Sequence, residues 1–157
     1  MLRTLSIMLT MVSLAMLAHG QAPAGYQTYY NSRFEYSISY PSTLLIPQGE
    51  AANGDGQKFL TRDGKVEMLV YGSNNALEKT LRGVFQARTA RHESRTITYQ
   101  VFKGDWFVVS GTENNKVFYE KTMQHNGVFK TFRIEYDKAV KDTWDPITAK
   151  IAHSFKG

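Results

Sequence analysis

The sequence predicts an α+β fold in which a central antiparallel sheet, made of a hairpin and a meander, is covered by two helices. Three observations lead to this prediction. Apolar and polar residues alternate over several short segments, which is typical of strands with one buried face. Asp-Gly, Gly-Asp, Asn-Asn and Asn-Gly pairs separate these segments, and such pairs favour tight hairpin turns. Apolar residues recur at helical spacing in two further segments.

The first strand is predicted at residues 33–41. Strict alternation through this segment indicates one buried and one solvent-facing side. The apolar side consists of Phe34, Tyr36, Ile38 and Tyr40. Pro41 closes the strand, and residues 44–46 are expected to make only a brief apolar contact before Pro47.

A hairpin is predicted next, with Asp63 and Gly64 as its turn. Pairing Arg62 with Lys65 sets a register in which four apolar residues share one side of the hairpin. These residues are Phe59, Val66, Met68 and Val70. The hairpin therefore has a consistent core face.

A first helix is predicted from about residue 76 to about residue 91. Asn75 is the expected N-cap, and Glu78 completes a capping box three residues later. The polar face of this helix is basic, and it is interpreted as ordinary solvated surface, with a docking face as the alternative. Its cations are Lys79, Arg82, Arg88 and Arg91.

A meander of four strands is predicted after this helix, with turns at residues 104–105, 114–115 and 126–127. In the last hairpin His125 is placed opposite Val128. The same register pairs Tyr119 with Ile134 and Lys121 with Phe132, and it pairs Glu120 with Arg133 on the other face.

The second helix is predicted near the C-terminus, where Asp145 is the expected N-cap and Pro146 the first helical residue. Its apolar stripe is Ile147, Ile151 and Phe155. Trp144, just before the cap, is expected to pack on the sheet.

The segments "RFEYSISYP" and "FRIEYDKAVKDTWDPITAKIAHSF", together with the helix between hairpin and meander, resemble the exported bacterial branch of the PsbP-like family. In that family helices cover a central antiparallel sheet, and the last helix ends in a similar I-x-x-S-F. The resemblance covers most of the mature chain and rests on scaffold motifs. It implies a non-catalytic accessory or binding role and supplies no catalytic residue. The chain lacks the lipidated cysteine of many relatives.

Residues 1–20 are predicted to be a secretory signal peptide. Arg3 precedes an apolar run at residues 5–17, and Ala18 and Gly20 present small side chains before a cleavage site at Gln21. Cleavage after residues 22–24 is the alternative. The apolar run is too short for a membrane anchor, which needs about 20 residues. The mature chain, residues 21–157, is expected to be one periplasmic or secreted domain without a transmembrane segment.

The composition argues against several classes of protein. The chain has no cysteine, so disulfides, thiol nucleophiles and thiolate metal sites are excluded. Without Arg3, 18 basic residues face 14 acidic ones. This mild excess is spread along the chain, unlike the concentrated basic face of a nucleic-acid binder. The expected state is a monomer or weak oligomer.

The histidines and serines do not form a recognisable catalytic or metal-binding pattern. His92, His125 and His153 have no partner at the spacing of a helical metal site. The segment "VSGTE" lacks the strand-to-helix setting of a serine nucleophile. No catalytic residue, metal ligand or cofactor site is therefore predicted.

The stretch "EAANGDGQ" (residues 50–57) is the most site-like segment by composition. Aligned with a calcium loop, it places Ala51 at the first ligand position and Arg62 at the last, where a glutamate is required. It also lacks the spacing of a phosphate-binding loop. We interpret it as a turn in which Gly54 and Gly56 permit positive φ, with weak metal binding as the alternative.

Candidate contact residues fall into two groups. Aromatic rings provide contact area at little entropic cost. A charged pair with a neighbouring lysine could form the polar floor of a ligand cleft. An ordinary cross-strand ion pair is the simpler interpretation of the charged group. The aromatic group is Tyr26, Tyr29, Tyr30 and Trp106, and the charged group is Glu120, Lys121 and Arg133.

Three functional hypotheses remain open from the sequence. The first is an exported accessory or binding protein that contacts an envelope protein or polymer. The second is an envelope-acting hydrolase, for which His125 and Glu120 are the candidate residues. The third is a toxin-immunity protein of the periplasm.

Overall fold

A computed structural model describes residues 25–157, which form nine β-strands, one 3₁₀ helix and two α-helices. The predicted signal peptide and both predicted cleavage sites lie outside these residues. In chain order the elements are β1 (Tyr26–Asn31), β2 (Tyr36–Pro41), β3 (Ile46–Glu50), β4 (Gly56–Leu60), β5 (Val66–Asn74), α1 (Leu81–Thr89), β6 (Arg95–Lys103), β7 (Trp106–Glu113), β8 (Lys116–His125), β9 (Val128–Asp137), the 3₁₀ helix (Lys138–Val140) and α2 (Lys141–Ser154).

Seven of the strands form one antiparallel sheet, in the order β3-β4-β5-β9-β8-β7-β6, and β1 pairs with β2 in a separate hairpin. Helix α2 and the β1–β2 hairpin cover one side of the sheet, here called the α2 face. Helix α1 covers part of the opposite side, the α1 face. The predicted α+β class with two covering helices is confirmed.

The larger hydrophobic core lies on the α2 face. All four predicted core residues of the Asp63–Gly64 hairpin are buried there, as is the apolar side of β2. The predicted packing of Trp144 is also confirmed, because this side chain is buried and its ring centroid lies 6.4 Å from that of Tyr136. Within residues 25–157, neither helix has the length and apolar character needed to cross a bilayer.

The predicted turns and registers of the meander are confirmed. His125 faces Val128, and the three pairs predicted between β8 and β9 all occur. Asn114 and Asn115 both have positive φ, as does Asn126 with the glycine after it. Two consecutive positive φ angles are what a hairpin turn that follows the strand twist requires.

Two strands were missed. Residues 26–31, which precede the first predicted strand, form β1, with Tyr29 opposite Ile38. Residues 46–50 were expected to be a contact and a loop, but they form the edge strand β3. Neither segment alternates regularly, and β3 contains Pro47, so the sequence pattern that identifies a half-buried strand is absent from both.

Helix α1 is shorter than predicted, and its N-cap is Thr80. The Thr80 hydroxyl accepts a hydrogen bond from the Gly83 N–H at 3.0 Å. Asn75 instead closes a separate turn, in which its Oδ1 accepts from the Lys79 N–H at 2.8 Å. Glu78 has a φ of 50°, which interrupts a helix, and Leu77 is 74% exposed.

Helix α2 begins earlier than predicted, at Lys141, and Pro146 lies inside it. Asp145 does not cap this helix. Its Oδ1 accepts a hydrogen bond from the Tyr136 hydroxyl at 2.7 Å. The turn before α2 is capped by Asp137, which accepts from the Ala139 N–H. Pro146 therefore leaves one carbonyl of the first turn without its usual helical donor.

The residues that follow α2 join the first hairpin. The N–H of Ser37 donates to the Lys156 carbonyl at 2.9 Å, and the N–H of Lys156 donates back to Ser37 at 3.0 Å. The Ser154 hydroxyl accepts a further bond from the Ser39 N–H at 2.9 Å. These bonds fix β2 beside the end of α2.

Candidate functional site

The outer strands of the sheet, β6 and β7, form an open surface on the α2 face. Helix α2 packs mainly over β2, β8 and β9, so a groove remains between the helix and these outer strands. We call this surface the shelf. It is lined by Tyr99, Val101, Trp106, Val108, Tyr119 and Lys121, with Ala149, Ala152 and His153 of α2 as its wall.

The strand registers place the side chains of the shelf in rows. Tyr99, Ser110 and Tyr119 are neighbours across β6, β7 and β8. Because adjacent strands lie about 4.8 Å apart, the two tyrosines of this row are separated by roughly 10 Å. Val101, Val108 and Lys121 form the next row. The cavity over these rows has a volume of about 400 Å³.

Aromatic side chains dominate the shelf. Tyr99 is 55% exposed, whereas Trp106 and Tyr119 are partly buried. Burial raises the pKa of Tyr119 to about 12, so its hydroxyl keeps its proton over the physiological range. The shelf therefore offers flat apolar surface together with phenol hydrogen-bond donors.

Lys121 lies at the α2 side of the shelf and caps the helix. Its Nζ donates to the Ala152 carbonyl at 3.1 Å and lies 5.6 Å from the centroid of the Trp106 ring. Burial lowers the pKa of Lys121. No carboxylate among residues 25–157 lies within ion-pair distance of it. Its charge instead meets the carbonyl-rich, negative end of α2.

The groove continues past Tyr99 into a second cavity of about 360 Å³ that reaches Tyr136, Lys141 and Asp145. Asp145 accepts from Tyr136 and forms an ion pair with Lys141. Burial alone would raise the pKa of Asp145, but the hydrogen bonds from Lys141 and Tyr136 outweigh it and lower that pKa. These groups hold the start of α2 on the sheet.

Six charged side chains form a second polar site on the α1 face. This arginine–glutamate cluster contains three cations and three anions, so its formal charge is balanced. Arg133 Nη1 lies 3.2 Å from Glu120 Oε2, and Arg88 Nε of α1 lies 2.9 Å from Glu120 Oε1. The members are Arg88, Arg95, Glu113, Glu120, Arg133 and Glu135.

The carboxylate of Glu120 is enclosed by this cluster, and the residue is 2% exposed. The guanidinium of Arg133 also covers the Phe118 ring at 4.5 Å. Arg95 Nε donates to Glu113 at 2.7 Å. The cluster therefore satisfies its own charges and presents no free carboxylate to solvent at Glu120.

No protein-family model matches the chain, and no curated protein is similar to it. Among solved structures, it is similar to the solution structure of cyanobacterial PsbP (CyanoP) from Synechocystis sp. PCC 6803. The TM-score is 0.62 at 16% sequence identity, and the alignment covers 87% of this chain and 95% of that chain. This chain has a PsbP-like fold. In this PsbP-like fold the shelf and the arginine–glutamate cluster lie on opposite faces of the large sheet.

The structure distributes the predicted contact residues of the PsbP-like fold over three places. Trp106 and Lys121 lie on the shelf, whereas Glu120 and Arg133 lie in the cluster on the other face. Grouping Lys121 with the other two charges was therefore wrong, because adjacent residues of a strand point to opposite faces. The predicted tyrosines, Tyr26, Tyr29 and Tyr30, all lie on β1.

The three tyrosines of β1 have different environments. The Tyr29 hydroxyl donates to Glu50 at 2.6 Å, and its ring packs on Phe59 with centroids 6.0 Å apart. Tyr26 also packs against the core, and Tyr30 is 61% exposed. Tyr99 and Tyr119 of the shelf were missed. The signal was the position of β6 as the first strand of the meander, because this strand has a meander neighbour on one side only and lies at the edge of the sheet.

Residues 51–55 of the stretch at residues 50–57 form the turn between β3 and β4, so its interpretation as a turn is confirmed. Asn53 Nδ2 donates to Asp55 Oδ2 at 2.7 Å, and Gly54 has a φ of 66°. Gly56 does not have positive φ. It is needed for another reason, since a Cβ there would lie 2.0 Å from the Val70 carbonyl oxygen.

The histidines remain apart from one another. His92 Nδ1 lies 2.9 Å from the Ser94 hydroxyl, His125 ends β8, and His153 lies on the wall of the shelf. In the described part of the chain, no three His, Cys, Asp or Glu side chains are grouped as metal ligands.

Proposed function

We propose that this chain is an exported, non-catalytic binding or accessory protein whose shelf contacts an envelope protein or polymer. The observation that carries the proposal is the uncovered pair of outer strands, on which Tyr99 is 55% exposed beside Trp106 and Tyr119. Two strands of a sheet face usually pack under a helix or another sheet. Here they remain open to a partner.

The chemistry of the shelf suits a macromolecular partner. Tyrosine and tryptophan are enriched among the residues that dominate protein–protein binding, because they bury large area at low entropic cost. A pocket for a small molecule encloses most of its ligand. The shelf is a groove that opens along β6, so an extended or flat partner surface fits it better.

Export and an accessory role are supported from different sources. The signal-like residues 1–20 support passage across a membrane. The PsbP-like fold and the resemblance of the sequence to the PsbP-like family support an accessory role. A fold alone does not fix a function, so the exposed aromatic surface of the shelf is the main support for binding.

The hydrolase alternative loses its candidate base. Glu120 is buried between Arg88 and Arg133, so it has no room to contact a substrate. His125 is exposed at the end of β8, and Lys121 and Asp145 beside the shelf are engaged in holding α2.

The test is affinity capture from a periplasmic extract with the purified protein as bait. A single stoichiometric protein partner is expected for the wild type. Tyr99→Ala is expected to lose the partner, because the ring is mostly exposed and contributes contact rather than core packing. Tyr30→Ala is the matched control, since Tyr30 is equally exposed but lies on β1.

Retention of the partner by Tyr99→Ala, or its loss from Tyr30→Ala instead, would contradict the role of the shelf. Retention of the wild type on peptidoglycan alone would identify a polymer as the partner. Turnover of an envelope substrate by the purified protein would contradict the non-catalytic proposal.

A further inference from the structure

The two edges of the large sheet differ in how open they are to another strand. At one edge, β3 is five residues long, contains Pro47, and loses its register between Pro47 and Glu50. At the other edge, β6 is nine residues long and contains no proline. Short strands, proline and irregular pairing are devices that block strand addition, so β3 is protected and most of β6 is not.

The open edge of β6 presents backbone groups beside the shelf. Lys103 and Trp106 are joined by a two-residue turn, so they form a hydrogen-bonded pair with each other. Backbone direction alternates along a strand, and Gln100 and Phe102 therefore direct their N–H and C=O groups away from β7. A bulge between Ile97 and Tyr99 limits the regular edge to residues 99–103.

The charges of β6 favour one kind of added strand. The sequence RTITYQVFK contains no acidic residue. Glu113 neutralises Arg95 at 2.6 Å, whereas Lys103 is exposed and forms no ion pair with any side chain of residues 25–157. An acidic side chain opposite Lys103 would supply a favourable cross-strand pair.

A second copy of this chain fits the edge less well. Antiparallel pairing of residues 99–103 of two copies would centre on Val101 and place Tyr99 of each copy opposite Lys103 of the other. Neither Lys103 would then face the opposite charge that stabilises a cross-strand pair. An acidic partner segment supplies that charge, whereas a second copy of β6 does not.

We propose that β6 binds an extended, acidic segment of a partner protein by strand addition, with the segment paired along residues 99–103. The inference rests on the proposed function and specifies how the partner binds. Side chains on one side of the added strand would continue the row of Tyr99 and lie against the open side of the shelf. Backbone hydrogen bonds would supply affinity, and the charge and shelf contacts would supply selectivity.

The test uses two synthetic peptides as long as β6, one alternating valine with glutamate and one alternating valine with lysine. Binding is followed by backbone amide chemical shifts of the purified protein. The acidic peptide is expected to shift the amides of Gln100 and Phe102, and the basic peptide is not. Binding should weaken with added salt, because exposed charges are screened.

Two variants at Gln100 separate backbone from side-chain effects. Gln100→Pro removes an N–H that points away from β7. This variant is expected to bind the acidic peptide about tenfold or more weakly than the wild type does. Gln100→Ala keeps the N–H and should bind within about twofold of the wild type. Lys103→Glu should reverse the preference between the two peptides. Unchanged thermal unfolding of each variant shows that the fold is intact.

The outcomes distinguish the inference from the proposed function. Strand addition is overturned if Gln100→Pro binds the acidic peptide as the wild type does, or if neither peptide shifts the amides of β6. It is also overturned if the wild type dimerises through β6 in preference to binding peptide. If Tyr99→Ala loses binding of the acidic peptide but Gln100→Pro does not, the contact surface is the shelf and not the edge of β6. Capture of a partner that depends on Tyr99 would then still support the proposed function.

Discussion

Helix α2 is held to the sheet mainly by apolar packing, whereas helix α1 is held by a smaller apolar cluster and by the ion pair of Arg88 with Glu120. On the α2 face, Trp144, Ile151 and Phe155 are buried against the core. On the α1 face, Leu81 and its neighbours pack over Phe107, and Arg88 reaches the buried Glu120. The arginine–glutamate cluster pairs its own charges on the α1 face, whereas the shelf leaves Tyr99 exposed on the α2 face.

Among the variants proposed for the two faces, Phe132→Ala on the α2 face is expected to lower the free energy of unfolding most. Phe132 is fully buried, and its ring centroid lies 6.0 Å from that of Phe155. Removing a buried ring should lower the free energy of unfolding by about 3–5 kcal/mol, through lost transfer energy and the cavity that remains. Urea denaturation measures the change. Tyr30→Ala, an exposed ring, should change it by less than about 0.5 kcal/mol, and similar losses in both would contradict the assignment of the core.

The next largest loss of stability is expected from a substitution in the arginine–glutamate cluster. Arg133→Met leaves Glu120 and Glu113 with one arginine each, and it is expected to cost about 2–3 kcal/mol because the buried Glu120 loses one of its two cationic partners. Adding Glu120→Met should recover part of that loss. The two single variants and the double variant form a mutant cycle in urea denaturation. If Arg133→Met does not change the free energy of unfolding, the ion pairs of the cluster do not stabilise the α1 face.

Acid should weaken the same cluster. Burial opposes ionisation of Glu113, but Arg95 and Arg133 outweigh it and hold the pKa of Glu113 below its ordinary value of 4.5. A lowered pKa in the folded state contributes stability above the unfolded pKa and loses it as pH falls through the folded pKa. Glu113→Gln should therefore cost about 1–2 kcal/mol at neutral pH.

The difference between Glu113→Gln and the wild type should shrink as pH falls below about 4.5, because the wild-type carboxyl then becomes neutral as well. Urea denaturation of both proteins at neutral pH and at pH about 3 measures this trend. A difference that stays constant with pH would mean that Glu113 acts through packing and not through its charge.

The smallest expected effect concerns the start of α1. Thr80→Ala removes the hydroxyl that accepts from Gly83, and it should cost about 1 kcal/mol. Thr80→Ser is the matched control and should be close to the wild type. Asn75→Ala should cost less than Thr80→Ala, because Asn75 closes an exposed turn outside the helix. A larger loss of stability in Asn75→Ala than in Thr80→Ala would instead support the capping box predicted at Asn75.

Local turn chemistry explains why most of the sheet could be predicted from the sequence. The Asp63–Gly64 hairpin and the Asn126–Gly127 hairpin each fix their register within a few residues. The pair of Glu120 with Arg133 follows from that register alone. Strand β3 was missed because Pro47 and Gly49 replace the alternating residues that identify a strand.

The helix boundaries and the shelf depend on contacts that the sequence does not contain locally. Asn75 and Thr80 are both good caps, and only the packing of Leu81 on the sheet selects Thr80. The shelf is open because α2 lies over β8 and β9, which is a property of helix placement. Arg88 joins the cluster for the same reason, since it comes from α1 and not from a neighbouring strand.

The bonds between Ser37 and Lys156 also constrain the order of folding. These residues are neighbours in space but are separated by almost the whole described chain. Contacts between distant residues form slowly, because a long loop must close before they contribute. The meander and the Asp63–Gly64 hairpin contain mostly local pairs and should form early. The first hairpin to be synthesised is therefore expected to be among the last parts to dock, after α2 has reached the sheet.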